Sequence, residues 1–178
     1  MDRSPPSNTV LQTDLRMSDI RRATVADAEI LARHRVEMFR EMGQVIPGLY
    51  RPLFEACRTY FVEAIPTERY IGWVCESSSR PKAVIGGAGI QLRELAPRPD
   101  RTGRHLPSGP EGYVLNVFTE PQWRRQGVAE SLMRALIAWA TARGVQRLSL
   151  HASLEGRALY EKLGFVPSNE MRRDYVVP

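Results

Sequence analysis

Arg124-Arg125-Gln126-Gly127-Val128-Ala129 sets two guanidinium groups and two small residues just ahead of an amphipathic run. A helix beginning there leaves its first backbone N–H groups without carbonyl partners, and the positive end of its dipole favours negative charge. Arg124 and Arg125 add full positive charge beside those donors. The chemistry on offer is anion binding, with phosphate as the fitting guest. The alternative is an ordinary basic turn joining a strand to a helix.

Two elements must hold this turn. An apolar strand over 113–119 leads into Glu120-Pro121, and a helix over 127–142 follows. Val128, Leu132, Ala135, Leu136 and Trp139 form the helix's apolar stripe, with Glu130, Ser131, Arg134 and Thr141 away from it. Upstream, 20–23 reads as a short strand. Thr24 and Asp27 make a capping-box pattern for a helix running to about Met42, with Ala28, Leu31, Ala32, Met38, Phe39 and Met42 on one face and Gly43 as its stop. After a turn at Pro47-Gly48, Pro52 suits the first turn of a second helix, striped by Leu53, Cys57, Tyr60, Phe61 and Ala64 and ended by Pro66.

Strands over 70–76 and 83–92 form a hairpin around the polar turn 77–81. Gly86, Gly87 and Gly89 thin the second strand, which suits either a twisted strand needing little bulk or a close approach by ligand or backbone. The segment 93–112, with four prolines and Arg93, Arg98, Arg101 and Arg104, is irregular. A loop of that length is often functional, and here it covers a site or is a solvated excursion. A strand over 148–151, a helix over 154–163 capped by Ser153 and stopped by Gly164, and strands at 165–166 and 171–177 complete the order β-α-α-β-β-β-α-β-α-β-β. The fold class is α/β (α+β): a central mixed, mostly antiparallel twisted sheet of about six to seven strands flanked by about four helices.

Composition narrows the options. At 178 residues and 43% hydrophobic content the chain makes one domain with a real core. Residues 1–17, rich in Pro and Ser, read as a mobile leader to a domain over 18–178, and Met17 is an alternative start. No membrane span and no secretory apolar run is visible. Cys57 and Cys75 lack metal-ligand spacing and read as buried free thiols, so the expectation is a cytoplasmic protein without a metal. The net charge of +5 permits an acidic partner, but dispersed arginines without interleaved aromatics argue against nucleic acid.

Arg124-x-x-Gly127-x-Ala129 resembles the Q/R-x-x-G-x-G/A signature of the GCN5-related N-acetyltransferases, with Pro121 at the usual offset. Ser153 to Phe165, through Tyr160 and Gly164-Phe165, resembles the same family's later motif N-x-x-A-x-x-L-Y-x-x-x-G-F. Together with the element order, the resemblance covers nearly all of 18–178. It implies acetyl-coenzyme A as acetyl donor and an amine as acceptor. The pyrophosphate would lie on the amides of Arg124, Arg125, Gln126, Gly127, Val128 and Ala129. Backbone donors of a splayed strand at Val117, Phe118 and Thr119 would meet pantetheine and the acetyl carbonyl. Ser153 stands where the family commonly has a coenzyme-contacting Asn, and serves as a cap or a contact. The resemblance also implies a homodimer.

Amine attack on a thioester needs a polarised carbonyl, a neutral amine and a proton for the departing thiolate. The resemblance gives that last role to Tyr160, whose alternative is plain packing on Leu159 and Leu163. Asn116 occupies a strand position where some relatives carry glutamate, and it cannot take a proton. Glu37, Glu41, His151 and Glu155 are the candidate bases, each with a structural alternative, and a water chain or an amine arriving neutral is equally open. No Cys or Ser sits in a nucleophile motif, so direct transfer is expected. The competing readings are a non-catalytic acyl-coenzyme A sensor and a basic nucleic-acid binder. The arginines of 93–104 hint at an acceptor bearing carboxylate or phosphate.

Overall fold

Five strands form a single sheet in chain order: β1 (Ile20–Arg22), β2 (Ile71–Glu76), β3 (Val84–Arg93), β4 (Glu111–Thr119) and β5 (Arg147–Ser149). The computed structural model describes residues 20–80, 82–94, 96–100, 102–106 and 109–173. The expected leader, the Met17 start and residues 174–177 of the last expected strand lie outside these. Pairing is antiparallel from β1 to β4 and parallel between β4 and β5.

Among the described residues, four helices cover the two faces. On one lie α1 (Ala28–Glu41) and α2 (Pro47–Ala64), which bury Leu31, Ala32, Cys57, Phe61 and Ala64 with Tyr70 and Val74 of the sheet side. On the other lies α3 (Val128–Ala142), whose Val128, Leu132, Met133, Leu136 and Ala140 pack on Trp73, Ile85, Ala88 and Val114. The short α4 (Arg157–Lys162) places Tyr160 against that second cluster. Cys57 and Cys75 are both buried, as expected.

Several elements differ from their sequence patterns. The sheet has five strands, not six to seven, among the described residues: 165–173 forms no strand, and Val166 and Met171 are exposed. Alternating residues become a strand only where a neighbour offers its ladder, and among the described residues none pairs with 165–173. The helix α2 begins at Pro47, with Pro52 inside it. Pro47 fills the first helical position, where its missing N–H costs nothing. Toward the C-terminal end, α4 starts at Arg157 because Gly156, a poor helix former, ends the turn at 154–156 and caps the helix.

The glycine run in β3 has a packing reason. A Cβ on Gly89 would fall 2.2–2.3 Å from the ring and hydroxyl of Tyr70, and one on Gly86 would meet Val128 and the Phe118 carbonyl at 2.8 and 2.9 Å. Core side chains, not a ligand, make the close approach.

Candidate functional site

The site grows from an irregularity in β4. Gly87 pairs with Phe118 and Gly89 with Leu115, so Asn116 and Val117 together oppose the single residue Ala88. This is a β-bulge, and Asn116 takes φ +60° within it. Asparagine is among the few non-glycine residues that adopt that conformation readily, which accounts for its presence where a carboxylate would suit catalysis. Its side chain is buried and donates through Nδ2 to the Leu31 carbonyl on α1 at 3.3 Å.

β5 departs from β4 at the same region. Their ladder covers only Glu111–Tyr113 against Arg147–Ser149, while β4 continues to Thr119. Among the described residues, the β5-facing backbone edge of 114–119 therefore has no strand partner. Val117 packs on the α3 side and Phe118 lies beneath His34, with ring centroids 4.9 Å apart. Thr119 directs its carbonyl toward the Nε of Arg124, 3.1 Å away. The open edge leads straight to the basic turn.

In that turn Arg125 adopts φ +59° and Gly127 φ +83°, the latter as N-cap of α3. The first helical bond runs from the Ser131 N–H to the Gly127 carbonyl at 2.9 Å, leaving the N–H groups of Val128, Ala129 and Glu130 without helical partners. Left-handed residues next to a helix start gather successive N–H groups into an anion-binding concavity. A Cβ on Gly127 would have nothing within 4 Å, so conformation rather than crowding requires glycine. Gln126 bonds its side-chain amide to the Gln122 carbonyl at 3.1 Å and braces the turn.

The two arginines separate in role. Arg124 turns away from the concavity: its Nη2 lies 2.6 and 2.8 Å from the two carboxylate oxygens of Glu41 at the end of α1. Arg125 is exposed and has no carboxylate partner among the described residues. The full positive charge expected from both is thus half neutralised.

Tyr160 arrives from the other side of the opening. Lys162 on α4 pairs with Glu130 in the first turn of α3 at 2.7 Å, tying the two motifs together. The Tyr160 ring packs edge-on to Phe165 at 5.9 Å, and its hydroxyl makes no hydrogen bond among the described residues. Burial pushes the Tyr160 phenol above its ordinary value, keeping it protonated. Ser153 is exposed and accepts the Gly156 N–H on Oγ at 3.1 Å, so it shapes the entry to α4.

The candidate bases lie in different settings. Burial would raise Glu37, but hydrogen bonds from Tyr50 at 2.8 Å and Arg40 at 2.8 Å outweigh it and hold the carboxyl below its usual range. Glu41 is held by Arg124. His151 meets the Tyr113 hydroxyl at 2.7 Å and Arg172 at 2.8 Å, and Glu155 is exposed.

Sequence reasoning missed a cluster in which a buried histidine, His34, meets the partly exposed pair Arg33 and Glu120. His34 is fully buried, its Nε2 3.1 Å from Oε1 of Glu120, and Arg33 pairs with the same carboxylate. Burial drives the His34 pKa down to about 4 despite Glu120. With Nε2–H donating to Glu120, Nδ1 is buried without a partner. Leu31 and His34 are three residues apart, so helical periodicity carried a signal for His34. The span to Glu120 carried none.

A bulged β4 that parts from its parallel neighbour and feeds the N-terminus of α3 is the arrangement of the acetyl-coenzyme A-dependent N-acetyltransferases. A model of the Acetyltransferase (GNAT) family matches residues 31–165, and the chain belongs to that family. It is similar to a solved GCN5-related N-acetyltransferase from Ralstonia eutropha JMP134, at 29% identity and TM-score 0.76, covering 88% of this chain and 97% of that one. A second solved structure, a predicted acetyltransferase with acetyl-CoA from Clostridium acetobutylicum, matches at 25% identity and TM-score 0.71, covering 88% and 94%. An aminoglycoside N(6')-acetyltransferase type 1 of Stenotrophomonas maltophilia is 25% identical over 149 residues, 82% of this chain and 84% of that protein.

Proposed function

We propose that this N-acetyltransferase moves the acetyl group directly from acetyl-coenzyme A to a primary amine within a ternary complex. The observation that carries the reading is the unpaired edge of β4 running into the 124–129 concavity. In this reading the N–H groups of Val128, Ala129 and Glu130, with those of the turn, hold the pyrophosphate, and Val117, Phe118 and Thr119 orient pantetheine and the thioester through backbone. The amine nitrogen bonds to the thioester carbon, the C–S bond breaks, and Tyr160 donates its proton to the departing sulfur. Burial raises the Tyr160 phenol above its ordinary value, so it keeps its proton until the thiolate develops. Support for Tyr160 is its unbonded hydroxyl and its tie to the first turn of α3.

In this reading the amine arrives neutral or is deprotonated by solvent before attack, since Glu37 and Glu41 are engaged elsewhere. After attack the nitrogen gives a further proton to solvent, which returns one to Tyr160. A second copy of the chain covering the exposed Leu154, Val166 and Met171 is part of the proposal, as is a cytoplasmic setting. No helix among the described residues is long and apolar enough to cross a membrane.

The test is Tyr160→Phe, assayed by free-thiol release with acetyl-coenzyme A. We expect kcat to fall about 10²-fold, a usual size for losing a general acid, with acetyl-coenzyme A affinity unchanged. Wild-type turnover in the variant would remove the donor role.

A further inference from the structure

On the α1/α2 face, beside the bulge, lies a cleft of about 250 Å³ lined by Arg35, Ala56, Cys57, Tyr60, Gln91 and Leu115. Leu115 directly precedes Asn116, and the Asn116 bond to the Leu31 carbonyl fixes α1 over this part of β4. Arg35 stands one helical turn beyond Leu31 and so projects over the same ground. The cleft therefore opens next to the strand edge assigned above to the thioester.

Its charge is unusual for this helix. Arg33 pairs with Glu120 and Arg40 with Glu37, whereas Arg35 has no carboxylate partner among the described residues. Its neighbours are the Phe39 ring at 5.0 Å and the Cys57 thiol, neither of which cancels a charge. Glu37 lies two residues along, on another side of the helix, and is engaged by Tyr50 and Arg40. Across the cleft the Gln91 amide donates to the Tyr60 hydroxyl at 2.6 Å, which leaves the Gln91 carbonyl and the Tyr60 O–H proton for a guest. No carboxylate lines the cleft among the described residues.

We infer that this cleft is the acceptor site and that it selects a small amine bearing an oxyanion, carboxylate or phosphate, with Arg35 as its anchor. The inference rests on the transfer reading above. A planar guanidinium suits either anion in two-pronged fashion. The volume lies below the roughly 300–1,000 Å³ of pockets for drug-sized ligands, which fits an acceptor of amino-acid size. A polycation such as an aminoglycoside would meet Arg35 with nothing lining the cleft to offset it.

The experiment is a thiol-release panel with acetyl-coenzyme A in which each acid is matched to its neutral counterpart. Lysine is set against cadaverine, a second amino acid against its decarboxylated amine, and an aminoalkyl phosphate against the amino alcohol, with kanamycin as the polycation. We expect kcat/KM at least about tenfold higher for the anionic member of the preferred pair, the size of a charge-assisted contact. The carboxylate and phosphate arms then tell which anion is read. Arg35→Gln should erase that ratio and Arg35→Lys retain part of it, both with acetyl-coenzyme A affinity by calorimetry as in the wild type. Faster turnover of the neutral amines or of kanamycin overturns the inference and leaves the enzyme reading intact. No thiol release above the amine-free blank with any amine of the panel overturns both.

Discussion

Arg124 grips Glu41 through both carboxylate oxygens, at 2.6 and 2.8 Å, and holds the Thr119 carbonyl at 3.1 Å with the same guanidinium. The residue that opens the basic turn thus fastens it to the end of α1 and to the last residue of β4. If Arg124 is a clamp, Glu41→Gln loosens the turn and weakens acetyl-coenzyme A binding, by about threefold to tenfold in Kd. A phosphate contact made by Arg124 would give the opposite sign, because freeing the guanidinium would tighten binding. Both side chains are more than a third exposed, so the stability change should stay within about 1 kcal/mol. Calorimetric titration with acetyl-coenzyme A decides between them.

Gly127 tests the cradle's conformation. At φ +83° an alanine would be strained by about 1–2 kcal/mol, with no protein atom to clash against. Gly127→Ala should lower Tm by about 2–8 °C and raise the acetyl-coenzyme A Kd at least tenfold, since the added methyl faces the open side. A variant that binds as tightly as the wild type would remove the cradle from the cofactor's path.

Gly89 tests the core. The Tyr70 ring occupies the place of a Cβ there, and Tyr70 is fully buried beside Phe61, with ring centroids 4.7 Å apart. Gly89→Ala must therefore displace a ring that has nowhere to go, at about 3 kcal/mol or more. Chemical denaturation should show that loss, whereas Gly43→Ala, with open space but φ +72°, should lose only about 1–2 kcal/mol.

His34 gives the fold an acid weakness. Its pKa falls from an ordinary 6.5 to about 4 in the native state, through burial. The unfolded chain therefore takes up a proton below pH 6.5 that the native His34 refuses until pH 4. Stability from this group is present above pH 6.5 and declines as pH drops to about 4, by roughly 3 kcal/mol. Tm measured from pH 7 to pH 4 should fall more steeply in the wild type than in His34→Gln. Parallel curves would exclude His34 as the source.

Much of the site was legible because it is local. Gly127, Ala129, Tyr160 and Gly164 sit in short segments whose conformation their own residues dictate, and Gly127 and Gly164 do adopt φ +83° and +87°. Element order was legible for the same reason: helical and strand periods are read within ten or fifteen residues. The expected strands after Gly164 failed because a strand depends on its neighbour.

What the sequence determined by itself is the family and the two motifs, since each is a run of backbone conformations with its own side-chain requirements. What only tertiary structure decided is how the charges are spent. Arg124 meets Glu41 across 83 residues and Arg33 meets Glu120 across 87, while Arg35 meets no carboxylate among the described residues. No local pattern encodes those outcomes, because the docking of α1 against β4 and the basic turn sets which arginines find partners. Asn116, whose amide bonds α1 and whose φ +60° makes the bulge, stands where the two kinds of information meet.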